Sequence, residues 1–233
     1  MRSRNLCVLA VVVLCTCISS NTALATVIWE DDFSGDTLDT SKWSTSGTNG
    51  GSAAVTGGYG TINGGTGDWT NAQMTSKATS TAADNYVYTF KIGAAPTGNY
   101  DMFQVFGGNA QAPYVAMRGD IDGVNNWTFY VRQETGNEYH GTATSAIAAG
   151  DTWSFHIGSS GSSVYKNGAL FDSTSLVPTG TLMVDAQAWH EPGVSVASQS
   201  FDYIGVSVPE PGTFALCATA LFGLLCYAWR KRK

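Results

Sequence analysis

Through the middle of this chain apolar and polar residues alternate one by one, and no long stretch repeats its apolar positions at helical spacing. Tyr86, Tyr88, Phe90 and Ile92 alternate with Val87, Thr89 and Lys91, and Trp127, Phe129 and Val131 alternate with Thr128, Tyr130 and Arg132. Trp153, Phe155 and Ile157 alternate with Ser154 and His156, and Leu182, Val184, Ala186 and Ala188 with Met183, Asp185 and Gln187. A period of two sends successive side chains to opposite faces of an extended backbone, so each run predicts a strand with one apolar face. Residues 201–208 read as the last strand. Many such strands bury their apolar faces by forming two sheets packed face to face. Asn167-Gly168 supplies the two positive-φ positions of a type I′ turn and predicts a hairpin around it. The stretch 44–67, rich in Gly, Ser, Thr and Asn, reads as long loops around one short strand.

The ends follow other rules. Arg2 and Arg4 precede an apolar run at residues 6–18, and Ala23-Leu24-Ala25 has the small residues of a cleavage site. This predicts a signal helix removed by signal peptidase, with Thr26 as the first mature residue. At the other end, Pro209-Glu210-Pro211 leads into residues 213–229, which carry no charge, and then into Arg230-Lys231-Arg232-Lys233. Seventeen apolar positions suffice for a short transmembrane helix. The basic residues keep their end cytoplasmic. The two prolines hold the tripeptide extended and accessible.

The order of these three parts resembles the PEP-CTERM sorting tail. The resemblance implies an exosortase-type membrane protease that recognises Pro209, Glu210 and Pro211, with Arg230, Lys231, Arg232 and Lys233 as the basic anchor. The expected organisation is a signal peptide at 1–25, one domain at 26–207 and the sorting tail at 208–233.

Once the ends are set aside, the domain is acidic. Residues 26–208 hold 6 basic and 17 acidic residues, a net charge of −11. That balance argues against nucleic acid and other polyanions as partners and is compatible with cations or neutral glycans. All five cysteines lie in the targeting ends, so the exported domain has no disulfides and no cysteine metal site. Its length is enough for a single core without such staples.

Three segments carry a second resemblance. Asp32-Phe33-Ser34-Gly35-Asp36-Thr37-Leu38-Asp39-Thr40-Ser41-Lys42-Trp43 is similar to the opening of concanavalin A-like (laminin-G-like) jelly rolls. The hairpin Lys166-Asn167-Gly168-Ala169-Leu170-Phe171 and the final run Phe201-Asp202-Tyr203-Ile204-Gly205-Val206 resemble their later segments. The resemblance implies an all-β, two-sheet antiparallel jelly-roll sandwich, flanked here by the N-terminal signal helix and the C-terminal transmembrane helix. It leaves the ligand open, because this fold hosts lectins, glycosidases and adhesive modules alike.

In the laminarinase-like glycosidases of the fold, the resemblance implies a Glu, an Asp and a second Glu alternating on one strand. A retaining mechanism needs two carboxyls about 5–5.5 Å apart. This chain has neither Glu-x-Asp-x-Glu nor Glu-x-Asp-x-x-Glu. Glu134 and Glu138 flank a turn-like Thr135-Gly136-Asn137, and the consecutive Glu30-Asp31-Asp32 read as a solvated strand edge. His140, His156 and His190 lack the spacing of a paired metal site. Asp120 and Asp122, followed by Gly123, can wrap a calcium ion, although Asp-Gly is equally an ordinary turn; no other cofactor is expected. Arg118-Gly119-Asp120 and Asn126-Trp127-Thr128 read as turn and strand chemistry. Trp69, Tyr139 and Trp189 are candidates for stacking on sugar rings, or aromatics that cap the core. The expectation is an exported, non-catalytic cell-surface or extracellular-matrix protein, not an enzyme, with weak binding of extracellular polysaccharide. The alternative is a divergent glycoside hydrolase or lyase whose two carboxylates come from different strands.

Overall fold

Each alternating run forms a strand. The computed structural model describes residues 26–66, 70–97, 101–107, 113–119, 126–190 and 198–209. In chain order the strands are β1 (Thr26–Asp31), β2 (Trp43–Gly47), β3 (Ser52–Thr56), β4 (Tyr59–Asn63), β5 (Thr70–Ser76) and β6 (Ser80–Thr81). After a 3-10 turn at Ala82–Asp84 come β7 (Val87–Ala94), β8 (Met102–Phe106), β9 (Tyr114–Arg118), β10 (Trp127–Arg132) and β11 (Glu138–Ser145). The last are β12 (Thr152–Gly158), β13 (Gly161–Lys166), β14 (Ala169–Thr174), β15 (Thr181–His190) and β16 (Ser198–Val208). The predicted signal and transmembrane helices fall outside the described residues. Among the described residues no helix is long and apolar enough to cross a membrane.

The strands form two antiparallel sheets. The first runs β14-β13-β12-β7-β16-β4-β3, with β1 also on β16. The second runs β11-β10-β9-β8-β15-β5-β2, with β6 on β15. Consecutive strands pair in the runs β12 to β14, β3 to β4 and β8 to β11, and the remaining neighbours, such as β7 with β16 and β5 with β15, are distant in sequence, as in a jelly roll. Val27–Val208 is a compact unit by itself and holds the core. The expected apolar faces meet there: Phe90 and Phe155 of the first sheet pack on Phe103 of the second at ring-centroid distances of 5.1 and 6.0 Å. Asn167 and Gly168 have φ of 51° and 81°, the left-handed pair that the turn between β13 and β14 requires.

Two expectations are corrected. The stretch 44–67 is not long loops around one strand but holds most of β2 together with β3 and β4. Its glycines serve close packing as well as turning: a Cβ on Gly51 would collide with the Asn71 carbonyl.

The segment Glu30-Asp31-Asp32 is not uniformly solvated either. Asp31 is buried, and its carboxylate accepts from Phe33 N at 2.9 Å and from the Trp43 indole Nε1 at 2.7 Å. Phe33, at φ 52°, is thereby turned to stack on Trp43 at 6.0 Å. Asp31→Ala strands the indole donor in a dry site. Leaving buried donors unpaired costs about 1–3 kcal/mol each, so the expected loss is about 2–3 kcal/mol by denaturant unfolding. A wild-type midpoint in Asp31→Ala would remove the clasp from the account of stability.

Candidate functional site

The face of the second sheet turned away from the core carries an unusual set of side chains. Register places Thr75, Asp185, Gln104, Ala116, Tyr130 and His140 side by side across β5, β15, β8, β9, β10 and β11. The next row holds Gln73, Gln187, Met102, Arg118 and Thr128. Each of these residues alternates with a core residue, so strand period alone puts them on this face.

Asp185 is the centre of one half of the face. Its carboxylate is fully buried and accepts from Gln104 Nε2 at 2.8 Å, Gln187 Nε2 at 2.7 Å and Thr75 Oγ1 at 2.8 Å. Gln73 Nε2 in turn donates to Thr75 Oγ1 at 2.9 Å. Burial pushes the Asp185 carboxyl above the ordinary aspartate range, against the lowering effect of these donors. A carboxyl whose proton is held more tightly than usual is the starting point for a general acid.

The other half is ionic and aromatic. Tyr114 and Tyr130 stack at 5.1 Å. The Arg118 guanidinium lies 4.9 Å from the Tyr130 ring centre and donates to the Tyr114 hydroxyl at 3.0 Å. This holds Arg118 against the sheet. Glu138 pairs with Arg132 at 3.0 Å and with His140 at 3.3 Å. Hydrogen bonds from Tyr130 and His140, with the charge of Arg132, hold its carboxyl below the usual glutamate range. Glu138 is four strands from Asp185, about 19 Å at a spacing of about 4.8 Å. The two carboxyls of a hydrolytic pair stand within about 9.5 Å, so these two do not serve one glycosidic bond. Among the described residues, no strand of this face alternates Glu, Asp and Glu; β8, at the middle of the sheet, presents Met102, Gln104 and Phe106.

The structure places the other expected residues as follows. Trp189 lies on the same face as Asp185, half-buried, its Nε1 donating to Gln187 Oε1 at 2.9 Å. Tyr139 packs against the core beside Phe129, and its hydroxyl donates to Asp172 at 2.8 Å. Pro209 is exposed at the end of the described chain. Trp69, Asp120, Asp122, Ala23, Ala25, Glu210, Pro211 and Arg230, Lys231, Arg232 and Lys233 lie outside the described residues. The three histidines occupy three separate strands, β11, β12 and β15. The residue that sequence reasoning passed over is Asp185. Its signal was present: an acid and an amide at alternate positions within the otherwise apolar run 182–189 of β15.

Residues 207–233 match the model of the PEP-CTERM protein-sorting motif. The tail is a PEP-CTERM sorting motif. It implies export, membrane anchoring and processing by an exosortase-type system before display at the cell surface. No match to the chain is found among curated proteins. Solved structures resemble the domain ahead of the PEP-CTERM motif. A glycosyl hydrolase family protein from Mycobacterium fortuitum is 16% identical with a TM-score of 0.58, over 78% of this chain and 99% of that one. An endo-β-1,3-glucanase from Pyrococcus furiosus is 11% identical with a TM-score of 0.59, over 78% and 94%. A β-1,3-1,4-glucanase (lichenase) derived from a mouse hindgut metagenome is 11% identical with a TM-score of 0.56, over 78% and 100%.

At these identities the likeness establishes the fold, a concanavalin A-like β-sandwich of the kind those glycosidases use. It corrects the expectation of a non-catalytic surface or matrix protein that is not an enzyme, and favours the alternative. The absence of alternating carboxylates on one strand excludes one placement of the acids and says nothing about groups that different strands bring together, as β15, β8 and β5 do around Asp185.

Proposed function

We propose that this chain is an exported, glycan-acting protein, a divergent glycoside hydrolase or lyase of the concanavalin A-like fold. Its substrate-facing surface is the outer face of the second sheet, and Asp185 is its acid. One observation carries the reading: a buried carboxyl of raised proton affinity, held by Gln104, Gln187 and Thr75. Amides and hydroxyls surround it, the groups that bond to the hydroxyls of a neutral sugar, in keeping with the acidity of the whole domain. Trp189 supplies a stacking surface on the same strand.

The test is turnover of soluble β-1,3- and β-1,3-1,4-glucans by the exported protein, with the products analysed for new reducing ends and for unsaturated sugars. Reducing ends alone indicate hydrolysis, and unsaturated products indicate elimination. Asp185→Asn, which keeps the shape and removes the acid, is expected to lower the rate at least 100-fold, the usual contribution of a general acid. Full activity in Asp185→Asn would take the acid role away from this residue.

Delivery rests on the tail. Signal peptidase removes residues 1–25, and an exosortase-type protease cuts near Pro209-Glu210-Pro211 while residues 213–229 hold the chain in the membrane, so the domain reaches the cell surface or the medium. Replacing Glu210 or either proline is expected to leave the full-length tail in the membrane fraction, as read by intact mass. Processing of all three variants at the wild-type rate discards this route.

A further inference from the structure

The two features that make the outer face a candidate glycan site, the acid and the stacking ring, are joined through one side chain. Asp185, Gln187 and Trp189 stand at alternate positions of β15, all on one face. Gln187 uses both ends of its amide. Its Nε2 donates to Asp185 Oδ2 at 2.7 Å, and its Oε1 accepts from Trp189 Nε1 at 2.9 Å. The indole has one donor, so this bond decides how the ring is held. The amide has fixed donor and acceptor ends, so accepting from Trp189 orients its donors toward Asp185.

The backbone beneath is pinned as well. Gln199 Nε2 donates to the Gln187 carbonyl and, at 3.0 Å, to that of Met102. The Trp189 amide N donates to Asp101 Oδ1 at 3.1 Å. Gln187 is itself buried, so its amide cannot exchange either partner for water without cost.

We propose that Gln187 is the positioning residue of this site, coupling a sugar ring stacked on Trp189 to the carboxyl of Asp185 through one oriented amide. This deepens the reading of the outer face as glycan-facing and rests on it. A ring stacking on Trp189 moves or steadies the indole, the indole sets the amide, and the amide sets one of the donors on the acid. The groups facing Asp185 are Gln104 from β8, Thr75 and, behind it, Gln73 from β5, and Gln187 from its own strand. These four are uncharged, so the amide's effect on the acid is not swamped by a nearby ion.

The experiment uses the isolated domain, residues 26–208, which forms a compact unit with its own core. Two NMR signals are followed: the Trp189 indole N–H, assigned with Trp189→Phe, and the Asp185 side-chain carboxyl carbon, assigned with Asp185→Asn. Gln187→Met keeps the volume and removes the amide. Without sugar, the Asp185 titration is expected to move upward in Gln187→Met, because a donor to the charged form is lost. It is expected to move by less, though measurably, in Trp189→Phe, which tests the link from the other end and keeps the ring. On adding a laminari-oligosaccharide, both signals shift together in wild type. In Gln187→Met the indole signal still shifts and the carboxyl signal no longer follows.

An Asp185 titration that is the same in wild type, Gln187→Met and Trp189→Phe overturns the coupling. So does a carboxyl signal that still follows the sugar in Gln187→Met. If the oligosaccharide leaves the wild-type indole unmoved, the glycan-facing reading and the sensing role fall together. The sugar-free titrations then still decide whether the amide links the two groups.

Discussion

Asp185→Ala is expected to destabilise the domain by about 2–4 kcal/mol, since each buried donor left without an acceptor costs about 1–3 kcal/mol and part of that is offset by no longer burying a carboxylate. For a domain of this size that is a fall in melting temperature of roughly 10 °C. The loss comes from the partners: without the carboxylate, the amides of Gln104 and Gln187 and the hydroxyl of Thr75 keep their donors and lose their common acceptor. Asp185→Asn retains one acceptor oxygen and is expected to cost less than half as much at neutral pH.

The two variants also separate stability from protonation. The folded Asp185 carboxyl holds its proton above the ordinary value of 3.8. Its protonated form therefore favours the folded state. That contribution is fully present below the unfolded value and is lost as pH rises through the folded one. Wild type should lose stability relative to Asp185→Asn across that window, as denaturant midpoints at a series of pH values will show. Equal losses in the two proteins would mean that Asp185 does not titrate differently on folding.

Phe103→Ala is expected to cost about 4–5 kcal/mol, the upper range for a phenylalanine truncated in a core. Phe103 is fully buried on β8. Its ring meets Phe90, Trp127, Phe155, Phe201 and Trp153 at centroid distances between 5.1 and 6.3 Å. Four of those rings come from the opposite sheet, so the cavity would open at the seam between the sheets, where neither can close it alone. Phe103→Leu, which keeps most of the volume, is expected to cost about 1–2 kcal/mol. A loss below about 1 kcal/mol in Phe103→Ala, judged by urea unfolding, would show that the sheets repack around the gap.

The predictions differ in how far the sequence anticipated them. Phe103 lies on β8, whose Met102–Phe106 run does not alternate plainly, because Gln104 and Phe106 are buried as well. Its core role appears only when β8 is set between β15 and β9. The runs around Phe90, Phe129, Phe155 and Val184 were legible, because one face is dry and the other is not, and a period of two records that difference along a single strand. Asp31 misled for the opposite reason. Three consecutive acids look solvated, but one of them reaches an indole twelve residues away, a contact that no local pattern encodes.

By itself the sequence determined what depends on local order. The period of two made the domain all-β, Asn167-Gly168 turned a hairpin, and charge, prolines and an uncharged run at the C-terminus spelled a sorting tail. Each is written in residues that are neighbours in the chain. Tertiary structure alone decided the candidate site. Gln104, Thr75 and Asp185 come from three strands as many as 110 residues apart, and the proton affinity of Asp185 depends on burial by a whole sheet. Antiparallel pairing of distant strands sets which side chains share a row, and no spacing within one strand carries that information.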